Sequence, residues 1–312
     1  MAETITEAYV LQFANNIFHL SQQKGSMLQP YVRNESIQGK KKSFNRLGAT
    51  AAQQKQGRHA PTPNNEIEHS TRWVGLVDYQ WAHFVDPTDL LRMLIDPTSE
   101  YVMGAMWAMG RTKDDVIINK AFANVVTGEN ADGSVSHPNS QKYAANNGTS
   151  FTNLNVKTLR AIRKMFAMKD IDKSLPLYFA YSPSQLESML GQTEVTSADY
   201  ANVKALVQGE VDTFMGFKFI EITRLKDTSG RSISASATTG AVGSGSSVAG
   251  TNYRSCIAWA GDALLLATGN EVKSRIDERP DLSYSTQAYA EMSIDAVRME
   301  EEKVIEVICK ED

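Results

Sequence analysis

The residues able to do chemistry are scattered along this chain. His19, His59, His69, His83 and His137 stand at no spacing that would let them share a metal ion with one another or with a cysteine. Cys256 and Cys309 form neither a CxxC pair nor a disulfide framework, and they read as partly buried free thiols of a reducing cytoplasm. Asp114-Asp115 is a conceivable metal pair, yet adjacent helical residues diverge by about 100° and do not both face one ion. They are expected as surface carboxylates. Gly243-Ser244-Gly245-Ser246-Ser247 is too degenerate for a phosphate loop, since no lysine follows it and it opens no clear helix. There is no HExxH, no Walker A sequence and no GxSxG. No constellation supports a reaction, so no catalytic residue, cofactor or metal is expected.

The elements that would have to position such residues tell more. Apolar residues make up 42% of the 312, enough for two domains or one long molecule with a core in each part. A net charge of -4 and a pI near 5.8 argue against a dedicated nucleic-acid binder. No apolar run approaches the ~18 residues needed to span a bilayer, and the start Met1-Ala2-Glu3-Thr4 lacks the pattern of a signal peptide. A soluble protein made in the cytoplasm, without a membrane partner, is expected.

Thr4 and Glu7 have capping-box spacing and open an amphipathic helix. Its Val10, Phe13, Ala14, Ile17, Phe18 and Leu20 fall largely on one face, and Gly25 stops it. Such a helix either packs on its own domain or docks on a neighbouring subunit.

Residues 40–127 are the most informative stretch. β-type runs near Ser43–Leu47 and Arg72–Val85 flank a polar segment from Ala49 to Ser70 that has little to bury. In the second run Trp73, Val77, Tyr79 and Trp81 share one parity and Val74, Leu76 and Phe84 the other. It reads as a single strand of roughly 40 Å. The two runs predict a two-stranded ribbon that needs something else to cover it. Asp86-Pro87-Thr88-Asp89 starts a short helix to Ile95. Asp96-Pro97 starts a long one over 97–126, with Val102, Met106, Met109, Ile117, Ala121 and Val125 on one side. Gly110 within it is tolerable if another backbone packs close.

Residues 133–151 read as a loop or weak hairpin. Thr152–Met168 reads as a helix with Val156, Leu159, Ile162 and Phe166 buried and a basic face of Lys157, Arg160, Arg163 and Lys164 exposed. Leu175–Tyr181 is a strand, and Ser182-Pro183-Ser184-Gln185 caps a helix ended by Gly191. A helix at Ala198–Val207 and a strand at Phe217–Ile222 complete an α/β module. Asp227–Gly250, rich in Ser, Gly, Ala and Thr, is expected to be a mobile loop. Strands follow at Cys256–Trp259, Leu264–Ala267, Met292–Met299 and Val304–Cys309. Glu300-Glu301-Glu302 is expected as a solvated hairpin tip between the last two. From these residues two readings stand. One is an assembly protein. The other is a small-molecule-binding α/β enzyme with its site in residues 151–262, near the turn at Tyr181–Leu190.

The order of parts, with Gly39-Lys40-x-x-x-Phe44-x-x-Leu47-Gly48, Arg72-Trp73-Val74 and Asp86-x-x-Asp89, resembles the major capsid proteins of tailed bacteriophages, which have the HK97-like fold. Further runs in the same order extend the resemblance over most of the chain. They are Leu94-Ile95-Asp96-Pro97-x-Ser99-x-Tyr101, Gly110-Arg111-x-x-Asp114-x-x-Ile117, Asp199-Tyr200, Gly209-Glu210-Val211 and Phe214-x-Gly216-Phe217.

The resemblance implies an α+β fold with five parts. Residues 1–37 would be an N-terminal arm and 38–85 an extended β-hairpin, the E-loop, lying on the adjacent subunit. Residues 86–150 would belong to a P domain with a spine helix at 97–126, 151–262 to an α/β A domain, and 263–312 to C-terminal strands of the P domain. It implies a structural protein, not an enzyme, that self-assembles into hexamers and pentamers of an icosahedral head enclosing double-stranded DNA. Intersubunit contacts would come from Lys40, Lys41, Lys42, Phe44, Arg58, Arg72 and Trp73 of the E-loop. Met106, Gly110, Arg111 and Ile117 would serve the spine helix. Partners would be a separate scaffolding protein, a portal, a decoration or cement protein, and packaged DNA held by non-specific inner-surface contacts. Its place would be the virion capsid, assembled in the host bacterial cytoplasm. Some capsids of this fold cross-link a Lys of the E-loop to an Asn of the P domain. Lys40, Lys41, Lys42 and Lys55 lie in or near that loop, with no partner identified.

Overall fold

The structure is a computed structural model and describes residues 21–55, 57–58, 62, 64–86, 98–192, 213–235, 239–240, 242 and 246–311. The expected helices at 4–20, 87–95 and 198–207, the helix start at Asp96-Pro97, and the runs Asp199-Tyr200 and Gly209-Glu210-Val211 lie outside the described residues. Strands β1 (Arg33–Ser36), β2 (Lys41–Leu47), β3 (His69–Gly75) and β4 (Val77–Val85) come first. Helix α1 (Thr98–Ala121) leads to β5 (Val125–Thr127), β6 (Gly133–Val135) and β7 (Lys142–Ala144). Helix α2 (Val156–Ala167), β8 (Leu177–Tyr181), helix α3 (Pro183–Leu190), β9 (Thr213–Phe214) and β10 (Phe217–Glu221) follow. The chain closes with β11 (Asp227–Ala235), β12 (Ser246–Ala260), β13 (Leu264–Arg279), β14 (Ser285–Arg298) and β15 (Val304–Lys310).

Three sheets result. One has the order β1-β13-β14-β4 and carries α1 against β14 and β13. Along β14 the buried residues Ala288, Ala290, Met292 and Ile294 alternate with more exposed ones, the period-2 signature of a sheet with one covered face, and from Ile294 to Arg298 every residue is buried. A second, seven-stranded sheet has the order β7-β15-β12-β8-β10-β9 with β11 on β12. There Phe179, Phe217, Phe219 and Tyr181 stack with centroids 5.4 to 6.2 Å apart. On α2 the side chain of Asn155 accepts the Thr158 N–H at 2.7 Å, and Leu159, Ile162 and Phe166 are buried as their spacing predicts. One continuous core joins both sheets and both of these helices. The third sheet, β2-β3-β5-β6, is the ribbon and its root.

Several expectations need correction. The run at 72–85 is two strands, not one. β3 pairs with β2, while β4 pairs with β14 in another sheet, and Leu76 between them is seated over Gly269, where a Cβ would meet its Cδ1 at 2.4 Å. The ribbon therefore ends at Gly75, well short of residue 85. The long helix stops at Ala121, and Val125 belongs to β5. Residues 142–144 form an edge strand, β7, paired with β15, while the weak hairpin expected within 133–151 is present where Asn146 and Phe151 bridge antiparallel across a tight turn. The expected loop at 227–250 is instead a hairpin of β11 with β12. The last two strands do not pair with each other: β14 lies in the first sheet and β15 in the second, so Met299–Lys303 is a corner.

Candidate assembly surface

The ribbon has a buried root and an exposed tip. β2 and β3 pair antiparallel from Lys41↔Gly75 to Leu47↔His69. At the root Val74 is buried with Ile37, Val125, Leu265, Ala267 and Val297. Trp73 donates its indole N–H to the Gly128 carbonyl at 2.7 Å, and Arg72 is 3% exposed on Glu301. Arg72 and Trp73 thus both bond within the subunit's own body, Arg72 buried and Trp73 half-buried. That corrects the expectation of a ribbon wholly in need of a cover. Beyond the root the picture inverts. Every described residue from Leu47 to His69 is exposed, including Arg58 and Lys55, and Leu47 reaches 69%. The Gly48 N–H to Glu68 carbonyl bond and the Gln53–Asn65 side-chain pair keep the two limbs together. Lys40 and Lys41 are exposed at the free edge of β2, and Lys42 lies over the half-buried Phe44 ring at 5.0 Å. Charge on an open edge discourages indiscriminate strand pairing.

On α1, Ile117 is buried, whereas Met106 is 41% exposed and does not join the buried side. Gly110 and Arg111 hold the segment that precedes β1. A Cβ on Gly110 would sit 2.5 Å from the Gly25 Cα, so two backbones cross there, and Arg111 donates to the Gln22 side chain and the Gln23 carbonyl. Asp114, expected at the surface, is fully buried. It accepts from Gln23 Nε2, Ser26 Oγ, and the Met27 and Leu28 N–H groups. Asp115 pairs with Arg224.

Sequence reading also missed the corner. Glu301 is no solvated tip: it is 16% exposed and ion-paired with Arg72 at 2.8 Å and Arg46 at 3.5 Å. Lys169 holds Glu302 and Lys303 holds Glu300. The available signal was Arg46 and Arg72 on facing strands, which require a common counter-charge.

His137 is 5% exposed, packs 5.6 Å from Phe122, and has a ring nitrogen 3.3 Å from the Gln141 carbonyl. Burial, reinforced by Arg298, lowers its pKa from 6.5 to about 4. The unfolded chain therefore takes up this proton first as pH falls. Stability held above pH 6.5 is lost towards pH 4, and the loss then levels off. The contribution is on the order of 3 kcal/mol. His137→Gln should flatten that part of the stability–pH curve, as measured by urea midpoints at pH 7, 5.5 and 4.

Among the described residues no three His, Cys, Asp or Glu side chains could hold a metal, and no helix is long and apolar enough to cross a membrane. Cys256 and Cys309 are fully buried, and burial pushes the Cys309 thiol well up, away from a reactive thiolate. The turn at Tyr181–Leu190, the best place for an enzyme site, is closed by the chain's own end. Ser182 donates to Glu311, and Gln185 binds both the Leu154 N–H and the Lys310 carbonyl.

The subunit thus has a packed body and a ribbon exposed at its tip. The family model of phage capsid proteins matches residues 5–311, and the chain belongs to that family. No curated protein matches it. Its fold is similar to the capsid of cyanophage P-SCSP1u, at 16% identity and TM-score 0.72 over 98% of this chain and 94% of that one. The capsid of cyanophage Pam1 gives 12% and 0.71 over 100% and 99%. The acid-stable capsid of Helicobacter pylori bacteriophage KHP30 gives 11% and 0.68 over 99% and 98%. The fold is α+β and HK97-like, and the chain is a structural protein of the virion capsid, not an enzyme.

Proposed function

We propose that this chain is the major subunit of a tailed-phage head, assembling through hexamers and pentamers into an icosahedral shell around double-stranded DNA. The ribbon at 38–75 acts as the E-loop and lies on the adjacent subunit. Helix α1 is the spine of the P domain, and the loops of residues 151–262 gather at the centre of each ring. Head-to-tail contacts of this kind close into rings when the rotation allows. The observation that carries the reading is the contrast along the ribbon: a root buried on its own body and a tip with every described residue in solvent. A segment that cannot bury itself is stabilised only by a partner.

Shell formation in the host bacterial cytoplasm involves a separate scaffolding protein, a portal and, on the finished surface, a decoration or cement protein. DNA is held through non-specific inner-surface contacts, as suits a weakly acidic chain with local basic faces such as that of α2. Negative-stain electron microscopy of the purified chain, alone and with its scaffolding protein, tests the proposal. Rings or shells are expected. A protein that stays monomeric in both preparations would refute it.

A further inference from the structure

The ribbon meets the body at one charged joint. Two covalent connections enter it, at Gly39–Lys40 and Gly75–Leu76, and the Leu76 N–H donates to the Lys40 carbonyl at 3.2 Å. Backbone pairing of β3 with β5 at Arg72↔Thr127 and Trp73↔Val126, and the burial of Val74, hold the root, while the limbs beyond it have no strand of the body beside them among the described residues.

Charged side chains add to that hold and bear on the tilt of the limbs. Arg72 Nη2 on β3 donates to both carboxylate oxygens of Glu301, at 2.8 and 2.9 Å. Arg46 on β2 lies 3.5 Å from the same carboxylate, donates to the Met299 carbonyl and bonds Ser70 Oγ at 3.1 Å. Glu301 also faces Arg298, whose Nε is 3.9 Å away. Arg298 is fully buried and donates Nη1 to the carbonyls of Ala121 and Ala123, at 2.7 and 3.1 Å, where α1 ends. A cation at a helix C-terminus is favourably placed against its dipole.

One carboxylate therefore serves three guanidiniums. Arg72 and Arg298 are almost wholly buried, and Arg72 Nε with Arg298 Nε and Nη2 have no hydrogen-bond partner. Cations so placed repel one another unless the central anion is present. Burial lowers the pKa of both guanidiniums and Glu301 opposes that shift, so the carboxylate is what keeps them together.

We infer that Glu301 is the positioning residue of the ribbon, fixing the tilt of β2 and β3 against the C-terminal end of α1 through Arg46, Arg72 and Arg298. This rests on the reading of the ribbon as the intersubunit element, since only then does its tilt set how one copy meets the next.

Amide hydrogen exchange on the purified subunit tests it, with shells counted by electron microscopy in parallel. In Glu301→Gln, amides of β2 and β3 are expected to exchange about tenfold faster, while β12 and β15 keep their protection. Arg46→Gln, at a more exposed position, is expected to act in the same direction and serves if the first variant does not fold. Unchanged exchange in the ribbon, or an equal rise in β12 and β15, overturns the inference. Faster ribbon exchange with normal shells upholds the positioning role and refutes the ribbon's part in assembly. Lost shells with unchanged exchange refute the positioning role and would place the Glu301 corner itself at a contact between copies.

Discussion

Asp114→Ala is expected to lower the unfolding free energy of the subunit by about 2–4 kcal/mol, read as a fall in the urea midpoint. The carboxylate is fully buried on α1 and accepts four hydrogen bonds: Gln23 Nε2 and Ser26 Oγ at 2.5 Å, and the Met27 and Leu28 N–H groups at 3.0 Å. Alanine leaves the buried Leu28 N–H unpaired, at roughly 1–3 kcal/mol, while the part-buried Met27 N–H, on an exposed residue, loses only the net worth of its bond to a charged group. One helical turn earlier Gly110 lets Gly25 cross the helix. In Gly110→Ala the new methyl would sit 2.5 Å from the Gly25 Cα and 2.6 Å from its carbonyl carbon, and neither backbone atom yields cheaply. Both variants dislodge the segment 22–28 from α1. Denaturation curves of the two that overlay the parent's would show that this segment is not anchored there.

How far the sequence disclosed this arrangement depended on the distance over which each residue acts. The stripe Leu159, Ile162 and Phe166 and the start of α3 at Ser182-Pro183 rest on neighbours within a few positions, and they were legible, as was the pairing of β2 with β3 from their two β-type runs. The caps were not, since Asn155 caps α2 and the Ser182 hydroxyl turns to Glu311 instead of its own helix. Asp114 was not, because its donors lie 86 to 91 residues away and a local reading sees only a pair of helical carboxylates. Glu301 was misread for a related reason. Strands adjacent in sequence usually pair, so the acidic triplet seemed a hairpin tip, whereas β14 and β15 enter different sheets and leave it at a corner. The end of α1 is set by Arg298, which takes the carbonyls of Ala121 and Ala123 from far along the chain. Between 227 and 250 a Ser-, Gly- and Thr-rich composition hid a hairpin, since strand formation there follows from pairing with β12, not from intrinsic preference. The candidate assembly surface was legible as a polar tongue between two β runs. Its division into an anchored root and an open tip was not.

That division makes the tongue separable from the fold. Replacing residues 49–67 by a two-residue Asn-Gly turn keeps Gly48, Glu68 and both paired strands, and Asn-Gly suits a tight hairpin. The cut stops short of Ser70 because Arg46 bonds its hydroxyl at 3.1 Å. Every described residue removed is exposed, and the hydrogen bonds lost are those within the tip, Gln53 to Asn65 and Asn65 to the Ala51 carbonyl. The shortened subunit is therefore expected to melt within a few degrees of the parent, a surface change worth about 0.5 kcal/mol or less. Assembly is expected to fail. Ile67, 42% exposed, goes with the tip, and Leu47, 69% exposed, loses the surface beside it. Burying on a neighbour the surface that either leaves exposed contributes about 1–2 kcal/mol. That sum recurs at every contact of a ring, so its loss acts on the whole assembly while the single subunit barely feels it. Sedimentation velocity with electron microscopy reads the result, a folded subunit without rings or shells. Shells at the parent's yield would place the intersubunit contact elsewhere on the body.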